Sequence, residues 1–213
     1  MLTNLAPSDP ARIARDVARC YVPAPTPAVL PDSAEWLPPE NQGLRDLTLQ
    51  EIDLAAYMRE ALREAEAAGQ AGELPIGAVL VVGGEIVSRG RNRNQAARSQ
   101  LRHAEMQALL DGGPALWERF REAILFTTVE PCPMCLGAVV MADVPHIVFA
   151  ARDENVCSRQ TVADNPYVRR HIRSYHGGVL EEEARALIGR SHPALLRYIS
   201  FGAAPPVEKG EGL

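Results

Sequence analysis

The chain has 213 residues, 46% of them hydrophobic, and a formal net charge of −5. That length suits one domain of ordinary size plus an extension. The acidic balance argues against a protein whose main task is gripping nucleic-acid backbones, though it leaves a local basic groove open. No run of ~20 apolar residues is present to span a membrane, and the first residues lack the basic-then-apolar pattern of a secretory leader. With four cysteines and no framework spacing between Cys20 and Cys157, a reducing cytoplasm is the expected location.

Residues 1–47 read as a proline-rich N-terminal extension. A short helix is possible over Ala11 to Cys20, and Pro23, Pro25, Pro27, Pro31, Pro38 and Pro39 follow. Such proline density favours extended chain, draped on the core or partly disordered, with a subunit-contact arm as the alternative. The core, 48–202, opens with a helical period through Leu54, Tyr57, Met58, Ala61, Leu62 and Ala65, ended by Gly69 and Gly72. Ile76–Val82, Gly83-Gly84 and Glu85–Gly90 read as a hairpin. A polar loop from Arg91 to Arg102 leads into a helical pattern from His103 to Leu110, closed by Asp111-Gly112-Gly113-Pro114. Residues 123–128 predict a strand. An apolar helix then begins at the cysteines and breaks at Val144-Pro145, and 146–151 is the next strand. Between Arg152 and Arg170 the sequence predicts a polar loop with one short helix. A fifth strand over 172–176 and helices over 179–188 and 193–199 complete the core, and 203–213 is read as a frayed tail. Strands alternating with helices after an opening hairpin imply an α/β fold, a three-layer α/β/α sandwich with a mixed five-stranded sheet.

The chemistry concentrates in Pro131-Cys132-Pro133-Met134-Cys135 and His103-Ala104-Glu105. Cys-x-x-Cys alone is equally a redox pair or half of a structural zinc site, and His-x-Glu alone says little. Together they supply three zinc ligands, His103, Cys132 and Cys135, which leaves one coordination position for chemistry. Glu105 is then a carboxylate beside the metal, free to move protons. Prolines flanking Cys132 suit the first turn of a helix, where the dipole and the metal both favour thiolate.

The arrangement H-x-E…P-C-x-x-C resembles the signature of zinc-dependent nucleobase deaminases. From about residue 50 to 190 the chain is similar to the cytidine/deoxycytidylate deaminase superfamily. The resemblance implies Zn2+ as cofactor, His103, Cys132 and Cys135 as its ligands, and Glu105 as catalytic proton shuttle. Leu74-Pro75-Ile76-Gly77-Ala78-Val79, Gly90-Arg91-Asn92 and Leu125–Glu130 narrow the branch to tRNA adenosine deaminases and their small-molecule relatives. In that branch an asparagine at the place of Asn92, eleven residues before the histidine, contacts substrate; Asn92 and Ala104 are the expected substrate-binding residues. The bland alternative for Asn92 is a turn former. Glu130 is open between holding a loop and meeting substrate through its backbone. Residues 153–167 depart from the short glycine- and alanine-rich turn of tRNA-editing enzymes, and 164–167 loosely resembles guanine-deaminase-type sequences. Arg169, Arg170 and Arg173 face nucleic acid or are a solvated helix face. His146, His171, His176 and His192 read as structural or surface residues, and Cys157 as a small packed residue near a proposed lid.

The expected function is hydrolytic deamination of a free nucleobase or nucleoside, cleaving a C–N bond of a cyclic amidine and releasing ammonia. The alternative is a tRNA-specific adenosine deaminase, which requires a basic groove beside the pocket. A zinc-stabilised interaction module without catalysis is a third reading that Glu105 argues against. The expected partners are a small-molecule nucleobase or nucleoside and a second copy of the chain. The homodimer expectation rests on the largely apolar surface of the helix from Cys132 to Met141.

Overall fold

The structure is a computed structural model that describes residues 52–201. The proline-rich extension, its candidate helix, Cys20 and the tail lie outside the described residues. Helix α1 (Leu54–Gln70) opens the core, with the Asp53 carboxylate accepting from the Ala56 amide at 3.0 Å. Short polar side chains at this position satisfy one of the amides a helix start leaves unpaired. Strands β1 (Gly77–Val82) and β2 (Glu85–Arg91) form the expected antiparallel hairpin. Gly83 and Gly84 turn it with φ of 57° and 86°, values that glycine adopts without a Cβ penalty.

Beyond the hairpin come α2 (Asn94–Ala97), α3 (Ala104–Asp111), α4 (Gly113–Arg119) and a 3₁₀ turn at Phe120–Glu122. β3 (Ala123–Val129), α5 (Pro133–Met141) and β4 (His146–Ala151) follow, then α6 (Ser158–Asp164), α7 (Pro166–His171), β5 (Ser174–His176), α8 (Glu181–Ser191) and α9 (Pro193–Phe201). The sheet order is β2-β1-β3-β4-β5. β1 pairs antiparallel with β2 and β3, while β3–β4 and β4–β5 are parallel. This is a mixed five-stranded α/β sheet, as expected.

β1, β3 and β4 are buried along their whole length, as strands covered on both faces must be. The period-2 alternation of their side chains splits the core in two. Ala78, Leu80, Leu125 and Ile147 pack with Ala108, Leu109, Leu136 and Val139 on the face carrying α3 and α5. Val79, Val81, Ile124, Phe126 and Val148 pack with Met58, Ala61, Ala184 and Ile188 on the face of α1 and α8.

Three local readings are corrected and one is extended. The loop 91–102 contains α2. Gly112 ends α3 as expected, but Gly113-Pro114 then starts α4, which the sequence reading lacks, because proline is favoured in a helix's first turn, where no amide hydrogen is needed. The segment 152–170 forms two helices rather than one, α7 being started by Pro166 and capped by the Asn165 side chain, which accepts from Tyr167 and Val168. β5 is confined to 174–176, since the Arg173 and Ser174 amides both turn to the Pro145 carbonyl.

β2 lies hard against α3. A Cβ on Gly90 would stand 2.0 Å from the Ala104 carbonyl oxygen and 2.7 Å from the Ala108 nitrogen. Both are backbone atoms, so no rotamer change relieves the contact. Gly90→Ala is therefore expected to cost roughly 2–3 kcal/mol, as overpacking of a rigid site does, and to lower the melting temperature by several degrees. A thermal melt at wild-type stability would show that α3 can move away from the sheet.

Candidate active site

The sheet delivers its chemistry at the carboxyl ends of β3 and β4. There the chain leaves β3 through Glu130 and Pro131, and α5 starts with Cys132 at its N-cap position. α3 starts nearby with His103 at its own N-cap, in extended backbone. Two helix N-termini thus meet, and the Sγ atoms of Cys132 and Cys135 lie 3.6 and 3.5 Å from His103 Nδ1. Tetrahedral zinc, with Zn–S of about 2.3 Å and Zn–N of about 2.0 Å, sets adjacent sulfur and nitrogen ligands about 3.5 Å apart. The three ligand atoms lie within 4.8 Å of one another. The donor set and spacing fit zinc.

The hydrogen bond from Cys135, aided by that with His103, holds the Cys132 thiol down at about 4, against the burial that raises it. Its hydrogen bond with Cys132 and its own burial push the Cys135 thiol up; bound zinc would draw both sulfurs into the thiolate form. The contact with Cys132 raises the pKa of the His103 ring.

Glu105 follows in the first turn of α3, 4% exposed. Burial pushes its carboxyl above the ordinary range, and its Oε2 has no hydrogen-bond partner. Buried polar atoms are normally paired, so an unpaired carboxylate oxygen beside this donor set is a feature to be explained by chemistry. Ala104 is fully buried in the core beneath β2.

Asn92 is 1% exposed. Its amide donates to Ile76 O at 3.0 Å and its Oδ1 accepts from the Asn94 amide at 3.2 Å. Gly90, two residues earlier, lies against the first turn of α3. The turn-forming reading therefore holds, with Asn92 leading into α2.

Glu130 is where the sequence alone is least informative. It is 2% exposed, and its side chain gathers the loop after β4. Asp153 N, Arg159 N and the Tyr175 hydroxyl donate to its carboxylate at 3.1, 2.9 and 3.1 Å, and Arg159 Nη1 pairs with it at 3.4 Å. Burial, followed by this carboxylate, pushes the Tyr175 hydroxyl well above its ordinary value. The only sequence trace of the hub is an acidic residue inside an otherwise apolar strand exit. Of the remaining candidates, His146 is buried with Ser174 Oγ 3.0 Å from its Nδ1, and the Cys157 thiol donates to the Glu154 carbonyl at 3.1 Å. Arg170 stacks over Tyr167. No helix of the described residues is long and apolar enough to cross a membrane.

Residues 52–151 match the model of the cytidine and deoxycytidylate deaminase zinc-binding region. The tRNA-specific adenosine deaminase of Bacillus subtilis is 41% identical over 136 residues, covering 62% of this chain and 84% of that protein. A solved structure from a study of A-to-I editing by tRNA:A34 deaminases at the wobble position superposes with a TM-score of 0.56 at 32% identity, over 62% of this chain and 98% of the other. A guanine deaminase from Nitrosomonas europaea superposes with a TM-score of 0.55 at 23% identity, over 79% of this chain and 98% of the other, a likeness of fold. With the zinc-ligand cluster, the buried glutamate and the mixed sheet all in place, the chain belongs to the cytidine and deoxycytidylate deaminase family of zinc enzymes.

Proposed function

We propose that the chain deaminates adenosine in tRNA, the reading that the sequence alone places second to a free base. The observation that carries it is the segment 91–102. Arg91, Arg93, Arg98 and Arg102 are all exposed there, no acidic residue interrupts them, and the segment runs directly into His103. Arg91 pairs with Glu64 at 3.3 Å; Arg93, Arg98 and Arg102 make no ion pair among the described residues. An acidic chain with a local basic rim at its reactive centre suits a polyanionic substrate. The tRNA-specific activity named for the Bacillus subtilis relative supports the same substrate.

Zinc, when bound by His103, Cys132 and Cys135, supplies a nucleophilic water at neutral pH by lowering its pKa to ~7. The protein's own groups do the rest. Glu105 Oε2 takes the proton that this water gives up. Glu105 would hand that proton to the ring nitrogen, then take the second proton from the added hydroxyl and hand it to the departing amine, so that the C–N bond breaks as the carbonyl forms and ammonia leaves. Asn92 holds the base: with its Oδ1 occupied by the Asn94 amide, its Nδ2 donates to a ring acceptor. Any contact from Ala104 is through its backbone, at a helix start whose amides lack intrahelical partners.

The test is inosine formation in a transcribed tRNA carrying adenosine at the wobble position, beside ammonia release from adenosine, cytosine and guanine. Editing of the tRNA is the expected result. Binding should weaken with salt. The triple substitution of Arg93, Arg98 and Arg102 by Ala should flatten the log–log salt slope by about 0.7 for each phosphate those arginines neutralise. Ammonia release from a free base with no tRNA binding would overturn the reading in favour of the small-molecule one.

A further inference from the structure

Glu73 is a buried carboxylate that the deamination mechanism does not use. It sits in the turn between α1 and β1, 6% exposed, with its own amide donating to Ala68 O at 3.0 Å. Its side chain reaches across to the segment after β2. Its Oε2 accepts from Gln95 N at 2.9 Å and its Oε1 from Ala96 N at 2.7 Å. These are amides of the first turn of α2, whose N-cap residue, Arg93, offers no side-chain cap. Such amides are normally taken by a Ser, Thr, Asp or Asn at the N-cap itself. Here a carboxylate from another part of the chain takes both, and charge-assisted bonds are about twice as strong as neutral ones.

What those bonds hold is the segment bearing Asn92 and the arginine rim. Asn92 Oδ1 accepts from Asn94 N, the Ser99 amide donates to Asn94 O, and Arg93 N donates to Arg102 O. Each of these bonds depends on where α2 lies, and two of them are made to its first residue. We propose that Glu73 is a positioning residue for substrate: it pins α2 so that Asn92 is held at the zinc site and Arg93, Arg98 and Arg102 stand at its rim. The proposal rests on Asn92 being a substrate-binding residue.

Three variants test it in the zinc-loaded chain: Glu73→Ala, Asn92→Ala and the double substitution, with Glu73→Gln, which keeps one acceptor oxygen, as the milder form. KM and kcat are measured on whichever substrate the wild-type chain turns over, the tRNA or a free base. Amide hydrogen exchange across 93–98 is followed in parallel and needs no substrate. For Glu73→Ala we expect a KM raised at least about tenfold, in line with loss of hydrogen bonds to a charged group, a kcat within about threefold of wild type, and faster exchange at 93–98 with β1 and β3 unchanged. Glu73→Gln should fall between. The double variant should be no worse than Asn92→Ala, because one acts through the other. Unchanged exchange at 93–98, or a kcat loss at constant KM, overturns the proposal. Additive losses show that Glu73 does not act through Asn92, and overturn it as well. If Asn92→Ala is silent while Glu73→Ala is not, the reading of Asn92 fails instead.

Discussion

Glu105→Gln leaves zinc content and fold at wild-type levels and lowers turnover by about 100-fold or more, the usual contribution of a positioned acid–base group. Glutamine matches glutamate in size and reach, so the first turn of α3 keeps its packing. What disappears is the ability to take a proton from water and return it to ring and leaving amine. One residue serves several transfers, so the loss exceeds that of a group used once. Stability should hold or rise slightly, because a carboxyl whose ionisation is opposed by burial is replaced by a neutral amide. Substrate binding should survive, since Asn92 and the loop that carries it are untouched. Steady-state kinetics with metal analysis by mass spectrometry reads both halves of the prediction. Turnover close to wild type would remove Glu105 from the mechanism.

Cys132→Ala gives the second large effect, and of the opposite kind. Two ligands remain, and two do not make a structural or catalytic zinc site. Zinc content should fall from about one equivalent per chain to a small fraction, with activity following. Stability should fall too, because metal binding to the folded state is coupled to folding. For a domain of this size each kcal/mol corresponds to about 2–4 °C, so a drop on the order of 10 °C is expected. Chelation of the wild-type protein should lower its melting temperature by a similar amount while leaving Cys132→Ala unmoved. Full zinc occupancy in Cys132→Ala would overturn the ligand assignment.

The parts of the site that can be read in advance are those whose chemistry is written in adjacent residues. Cys132 and Cys135 are three apart because a helix start presents both to one point, and His103-Ala104-Glu105 repeats the device on α3. The hairpin is equally legible, since two glycines between β-rich runs have few other uses. The supports behind these parts are not. Glu73 meets Gln95 and Ala96, and Glu130 meets Asp153, Arg159 and Tyr175, across stretches of chain with no periodicity to announce them. Local turns mislead where one residue carries two meanings. The Gly112–Pro114 turn ends α3 and also opens α4, and the stretch 94–97 makes a helical turn whose first amides are capped by a carboxylate from another element.

The hub at Glu130 ties the loop after β4 to the metal-binding turn. Asp153 and Arg159 hang from the same carboxylate, which stands two residues before Cys132. The span between these two hooks is closed like a clasp, and Asp153 tightens it further by accepting from Asn155 and Val156. A change in the number of residues inside the clasp pulls on both hooks and, through Glu130, on Cys132. Residues beyond Arg159, in α6 and α7, carry no tether to Glu130. Exposed positions in that second stretch can therefore change while the metal centre stays still, whereas Val162 and Val168 pack in one core cluster with Leu136 and Val139 of α5 and must keep their bulk.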